Sequence, residues 1–165
     1  MKYLIPILLL ICFSAKAQES KEFKVDGKVE QTLVVSLDSL KKYPMLALDS
    51  MVIYNHKMER KSTIKNIKGV LLKDILSKVE IDSPTPTALS EYYLVCTATD
   101  GYKVVLSWNE VFNSKSRDNI LVLYSFDVDP KKAEKGNIAM IAPIDVASGR
   151  RYVKGLSKIT ILRVN

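Results

Sequence analysis

The feature that most constrains how this chain can fold lies between residues 92 and 106. Two stretches rich in β-branched and aromatic residues, 92–98 and 102–106, flank Asp100-Gly101. That arrangement reads as a β-hairpin, because glycine readily takes the positive φ of a tight turn. Strand-like segments recur on both sides of it. Residues 22–35 alternate imperfectly about Asp26-Gly27, and residues 45–54 and 57–67 flank a polar turn at Asn55-His56. Residues 120–126, 137–142 and 156–164 complete the set. The helices are short: Ser36 can cap one over 37–43, which Pro44 ends. After Gly69, apolar residues at 71, 72, 75, 76 and 79 predict a helix over 70–79. Ser107-Trp108-Asn109-Glu110 forms a capping box that opens a third. Strands outnumber helices and are interrupted irregularly, so the expected class is α+β with a mixed β-sheet, not a parallel Rossmann sheet.

The N-terminus reads as an address. Lys2 is followed by an apolar run over 4–13 and by Ala15-Lys16-Ala17, a small-x-small cleavage site. The expectation is a signal peptide over residues 1–17 and a single domain over 18–165, periplasmic or secreted. The apolar run is shorter than the roughly 20 residues that a membrane span needs. Cys12 follows Leu9-Leu10-Ile11, but Ile11 is larger than the small residue a lipoprotein signal wants, so simple cleavage is expected. Cleavage leaves Cys96 as the only thiol, which excludes an intramolecular disulfide. Its place in a strand-like run predicts a buried structural thiol.

Loss of Lys2 and Lys16 lowers the formal charge from +7 to about +5. The lysines are scattered and form no dense block, which argues against a nucleic-acid partner. An anionic small ligand or an anionic membrane surface remains compatible with the charge. With His56 the only histidine, a multi-histidine metal site cannot be built within one subunit. No Gly-rich phosphate loop, Gly-x-Ser-x-Gly elbow or His-Glu-x-x-His motif occurs. Asp127-Val128-Asp129-Pro130 lacks the spaced oxygen ligands of a calcium loop and reads as part of a solvated loop over 127–135.

Three groups of residues remain as candidates. Asn55 and His56 suit a turn, and also a ligand contact at a loop tip. Arg150, Arg151 and Lys154 beside Gly149 suit a surface cluster, and equally an anion site built from charge-assisted hydrogen bonds. Tyr102 and Trp108 are core aromatics or stacking platforms.

Four segments carry a resemblance. Residues 34–40, Gly69-Val70-Leu71-Leu72-Lys73-Asp74-Ile75-Leu76, Thr99-Asp100-Gly101-Tyr102 and Gly149-Arg150-Arg151-Tyr152-Val153-Lys154-Gly155-Leu156 occur in the order and spacing of the molybdopterin-binding domain of the sulfite oxidase family. The chain resembles that domain over nearly all of residues 18–165, which implies its mixed β-sheet with short helices. It departs from the family at the loop after residues 51–54. There the family carries the cysteine that binds molybdenum, and this chain has Asn55-His56-Lys57-Met58-Glu59. Gly155 also stands where the family has tryptophan.

The resemblance therefore implies an exported, non-catalytic domain that binds a pterin or molybdopterin-like ligand without a metal and passes its occupancy to a membrane-protein partner. On that reading Asn55 and His56 border the emptied metal position, Tyr102 and Trp108 meet the pterin ring, and Arg150, Arg151 and Lys154 hold an anionic tail. The alternatives are a molybdenum-cofactor-dependent oxidoreductase with an atypical metal site, and a fold kept only as an interaction module.

Overall fold

The computed structural model describes residues 21–127 and 137–164. The signal peptide expected over 1–17 and most of the charged loop expected over 127–135 lie outside them. The fold is α+β and mostly β-sheet, with a few short helices. It is built on two five-stranded sheets where the sequence predicted one mixed sheet. The first has the order β2-β1-β10-β5-β6, with β1 at Glu22–Gly27, β2 at Leu33–Ser36, β5 at Tyr92–Ala98, β6 at Lys103–Ser107 and β10 at Leu156–Arg163. β1 and β10 pair in parallel, and the other neighbours in this sheet are antiparallel. The second sheet, wholly antiparallel, has the order β3-β4-β7-β8-β9: Leu46–Tyr54, Arg60–Leu71, Leu121–Asp127, Ala139–Ile141 and Val153–Lys154.

The main core lies between the sheets. Phe23, Val25, Leu94, Cys96, Leu106, Ile159 and Ile161 meet Val70, Val122, Met140 and Val153, and the short helix α2 (Leu72–Leu76) adds Leu72, Ile75 and Leu76. Burying each such side chain contributes roughly 1.5–3 kcal/mol. Leu121 and Leu123 point the other way along β7, into a second cluster with Ile53, Ile64, Ile67, Ala139, Ile141 and Tyr152. Both faces of the first part of β7 are therefore buried, which explains its apolar Leu121-Val122-Leu123, while Ser125 and Asp127 are exposed.

The second sheet also closes on itself. Its edge strand β3 meets the 3-10 turn Ser148–Arg151 that precedes β9 at the other edge.

Several predicted boundaries shift. The helix expected over 70–79 is only Leu72–Leu76, because Val70 and Leu71 stay in β4, paired with Val122 and Leu121. Gly69 lies inside that strand, not ahead of a helix. A Cβ there would sit 2.7 Å from the Val122 carbonyl oxygen, so the close approach of β7 demands glycine. The strand expected from residue 57 begins at Arg60, since residues 55–59 form the turn. The helix over 37–43 shortens to α1, Leu37–Leu40, with Ser36 accepting from the Ser39 N–H as its cap. The link between β1 and β2 is not a tight turn at Asp26-Gly27. It is a loop running to Leu33, bridged to Ile81 through Val29. The central hairpin and the Ser107/Glu110 capping box stand as read, with Gly101 at φ +84 and helix α3 at Trp108–Phe112.

Candidate functional site

The two sheets bring three separate stretches of sequence to one end of the molecule. The first is the β3–β4 turn. Asn55 organises it: its Oδ1 accepts from the N–H groups of Lys57 (3.0 Å) and Glu59 (2.9 Å), and its Nδ2 donates to Glu59 Oε2 (2.8 Å). Met58 turns the chain back at φ +62. The bonds to Asn55 and Lys61 hold the Glu59 carboxyl below the usual carboxylate range. The Asn55 amide is thus committed to the turn, and what the turn presents is the exposed His56.

The second stretch is the turn Ser148–Arg151. Ser148 is buried; its hydroxyl donates to the Val52 carbonyl and accepts from the Tyr54 N–H, each at 3.2 Å. Gly149 follows because a Cβ there would lie 2.7 Å from the Tyr54 carbonyl oxygen. The third stretch is the β5–β6 turn. The Asp100 side chain accepts from the Tyr102 N–H at 3.0 Å, and the Tyr102 hydroxyl donates to the Arg150 carbonyl at 2.6 Å. Tyr102 therefore straps one sheet to the other.

Around that strap is a hollow of about 430 Å³ lined by Asn55, His56, Lys61, Tyr102, Arg150 and Lys154, among others. A neighbouring hollow of about 290 Å³ shares Tyr102, Gly149, Tyr152 and Lys154 with it. The Lys154 ammonium lies 5.0 Å from the centre of the Tyr152 ring, within cation–π range. Burial pushes the Tyr152 hydroxyl up to about 12, so it remains a neutral donor. That hydroxyl has no hydrogen-bond partner among the described residues.

Five of the seven residues singled out from sequence thus share one hollow: Asn55, His56, Tyr102, Arg150 and Lys154. Trp108 and Arg151 do not line it. Trp108 stacks on Phe112, with ring centres 4.3 Å apart, beside an apolar groove lined by Leu76, Ile81, Pro84 and Leu89. Arg151 donates twice to Asp145 and, through Nη1 at 2.8 Å, to Glu110 Oε1. Glu110 at the same time receives the Ser107 N–H at 2.8 Å. Arg151 therefore ties α3 of the first sheet to the segment before β9 of the second. The bonds to Asp145 are the chief reason its pKa rises, against a smaller loss of solvation.

Sequence reasoning passed over Ser148 and Tyr152. The small polar Ala147-Ser148-Gly149 ahead of the arginines was the available signal for the first. None marked the second, because its role depends on which face of the chain end is covered.

No family model matches the chain, and no curated protein matches it by sequence. The fold has a solved counterpart. The chain is similar to the sulfane dehydrogenase SoxCD from Paracoccus pantotrophus, with a TM-score of 0.59 and 14% sequence identity. The likeness covers 89% of this chain and 39% of the SoxCD chain, so this chain spans about two fifths of that length. At such an identity SoxCD shows a related fold and nothing finer.

Proposed function

We propose that this chain is an exported, non-catalytic domain of the sulfite oxidase molybdopterin-domain type, which binds a pterin or molybdopterin-like ligand in the hollow beside Tyr102. The observation that carries the reading is the convergence of His56, Arg150 and Lys154 with the exposed Tyr102 ring in one hollow of about 430 Å³. That volume lies within the range of small-molecule sites, roughly 300–1,000 Å³.

The residues present fit the organic part of such a ligand. The exposed Tyr102 offers a ring to a flat heterocycle, and Arg150 and Lys154 offer charge-assisted donors to a phosphate. The residues do not fit a metal held by a protein thiolate. The β3–β4 turn carries no cysteine, and Cys96 lies within the inter-sheet core, where burial pushes its thiol up to about 12.

A bound pterin supplies a flat hydrogen-bonding ring and, when phosphorylated, a dianion; the chain's residues bind and orient both. Because Tyr102 joins the two sheets, a ligand that favours one setting of this strap shifts the surface shown to a membrane partner. Such transmission requires different affinities for the two settings.

Calorimetry of the full chain with neopterin and with neopterin monophosphate tests the reading. The phosphate ester binds more tightly, and Lys154→Met or Arg150→Met weakens it about tenfold while leaving the neutral pterin nearly unaffected. Equal losses for both pterins refute the phosphate contact, and no binding of either refutes the site. Stoichiometric molybdenum in protein from a cofactor-competent host refutes the non-catalytic reading in favour of the oxidoreductase.

A further inference from the structure

The two halves of β3 differ at their outer edge. In the second half the Val52 carbonyl and the Tyr54 N–H face away from β4 and are taken up by Ser148. Outward-facing groups recur at every second residue of an antiparallel strand. β3 is the edge strand of its sheet, so the outward-facing N–H and C=O groups within residues 46–50 meet no neighbouring strand among the described residues.

This open stretch is apolar. Met45, Leu46 and Leu48 are 54%, 40% and 36% exposed, and Leu46 and Leu48 share a face. The outer strands of the other sheet are blunter, with four residues in β2 and five in β6. A long open edge bearing apolar side chains is a template for another strand. It is also bordered by cations. Exposed Lys65 and Lys68 stand opposite Ser50 and Ala47 on β4, and exposed Lys42 lies just before the strand. The carboxylates near them are Asp49 on β3 and Asp127 opposite Lys65 on β7, the latter bonded to Asn66.

We propose that residues 46–50 of β3 accept an extended acidic segment of a partner protein as an added strand. Its apolar side chains pack on Leu46 and Leu48, and its carboxylates face Lys42, Lys65 and Lys68. Main-chain bonds supply the affinity and alternate side chains the selectivity. A second copy of this chain fits less well, because the chain is net basic with or without residues 1–17 and would set the same lysines against one another. An anionic bilayer takes the lysines but leaves the outward peptide groups unpaired.

The test uses the full chain and a labelled peptide of alternating valine and glutamate, read by fluorescence anisotropy. Three changes should each weaken binding about tenfold or more: N-methylating alternate peptide bonds, replacing glutamate with lysine, and the double variant Lys65→Glu/Lys68→Glu. Amide hydrogen exchange within residues 46–50 should slow in the complex. No binding, or equal binding of the N-methylated peptide, overturns strand addition. A concentration-dependent dimer abolished by Leu48→Lys assigns the edge to a second copy and overturns the proposal. So does tighter binding to phosphatidylglycerol vesicles with these amides unprotected.

Discussion

Replacing Arg151 with methionine separates a structural tie from a ligand contact. The substitution keeps the aliphatic stem and removes every donor. It deletes two bonds to Asp145 and one to Glu110. A hydrogen bond to a charged group contributes about 1.5–3 kcal/mol. Three of them do not simply add, because Glu110 is 39% exposed and water replaces part of what it loses. Asp145, only 15% exposed, is left largely desolvated without its cation. Taking its loss in full and discounting Glu110 for screening gives a net cost of about 3 kcal/mol. For a chain of this size that lowers the Tm by roughly 6–12 °C. Urea unfolding followed by circular dichroism should show a lower midpoint with an unchanged m-value. Asp145→Asn should lose a similar amount, and the double variant less than the sum. Neopterin monophosphate affinity, measured in the cold where both proteins are folded, should stay within about twofold of the parent. Parent-like stability with a collapse in affinity for the phosphate ester would refute the reasoning and return Arg151 to the ligand.

Trp108→Ala should cost about 3 kcal/mol through lost packing on Phe112 and leave pterin affinity unchanged; a fall in affinity at preserved Tm refutes this. Alkaline pH should also destabilise the fold through two buried groups. Cys96 is pushed from 9.0 to about 12 and Tyr152 from 10.0 to about 12 by burial. Each folded-state pKa exceeds its unfolded value, so the stability these groups contribute is whole below about pH 9 and is lost as pH rises towards 12. Urea midpoints measured over that range should fall, and Cys96→Ala should remove the part that begins near pH 9. A midpoint that rises contradicts the burial of these groups. In the native protein Cys96 should also resist thiol reagents at neutral pH and react only in urea.

Much of the local structure was legible because it rests on local chemistry. The Asp100-Gly101 turn, the Ser36 cap and the Ser107/Glu110 box each involve groups within a few residues of one another. The helix expected from Gly69 failed for a non-local reason. Leu71, Leu72, Ile75 and Leu76 do lie on a helical stripe, yet pairing with β7 keeps Val70 and Leu71 extended. The same competition decided the candidate site. Three cations within residues 150–154 look alike as letters, but a carboxylate six residues before Arg151 and another at Glu110 capture that side chain alone.

The amino-acid order by itself determined where most of the strands lie, the Asp100-Gly101 turn, the Ser36 and Ser107 caps, and that Cys96 belongs in a strand. Their information is local, carried by propensity, period and the special φ of glycine. Tertiary structure decided that there are two sheets, that Ser148 closes one of them, and that Tyr102 spans the gap to Arg150. It also decided that His56 and Lys154 share a hollow while Trp108 stands apart. Those outcomes depend on hydrogen bonds and packing between residues as many as 96 positions apart, and no pattern along the chain encodes which distant partner a side chain meets.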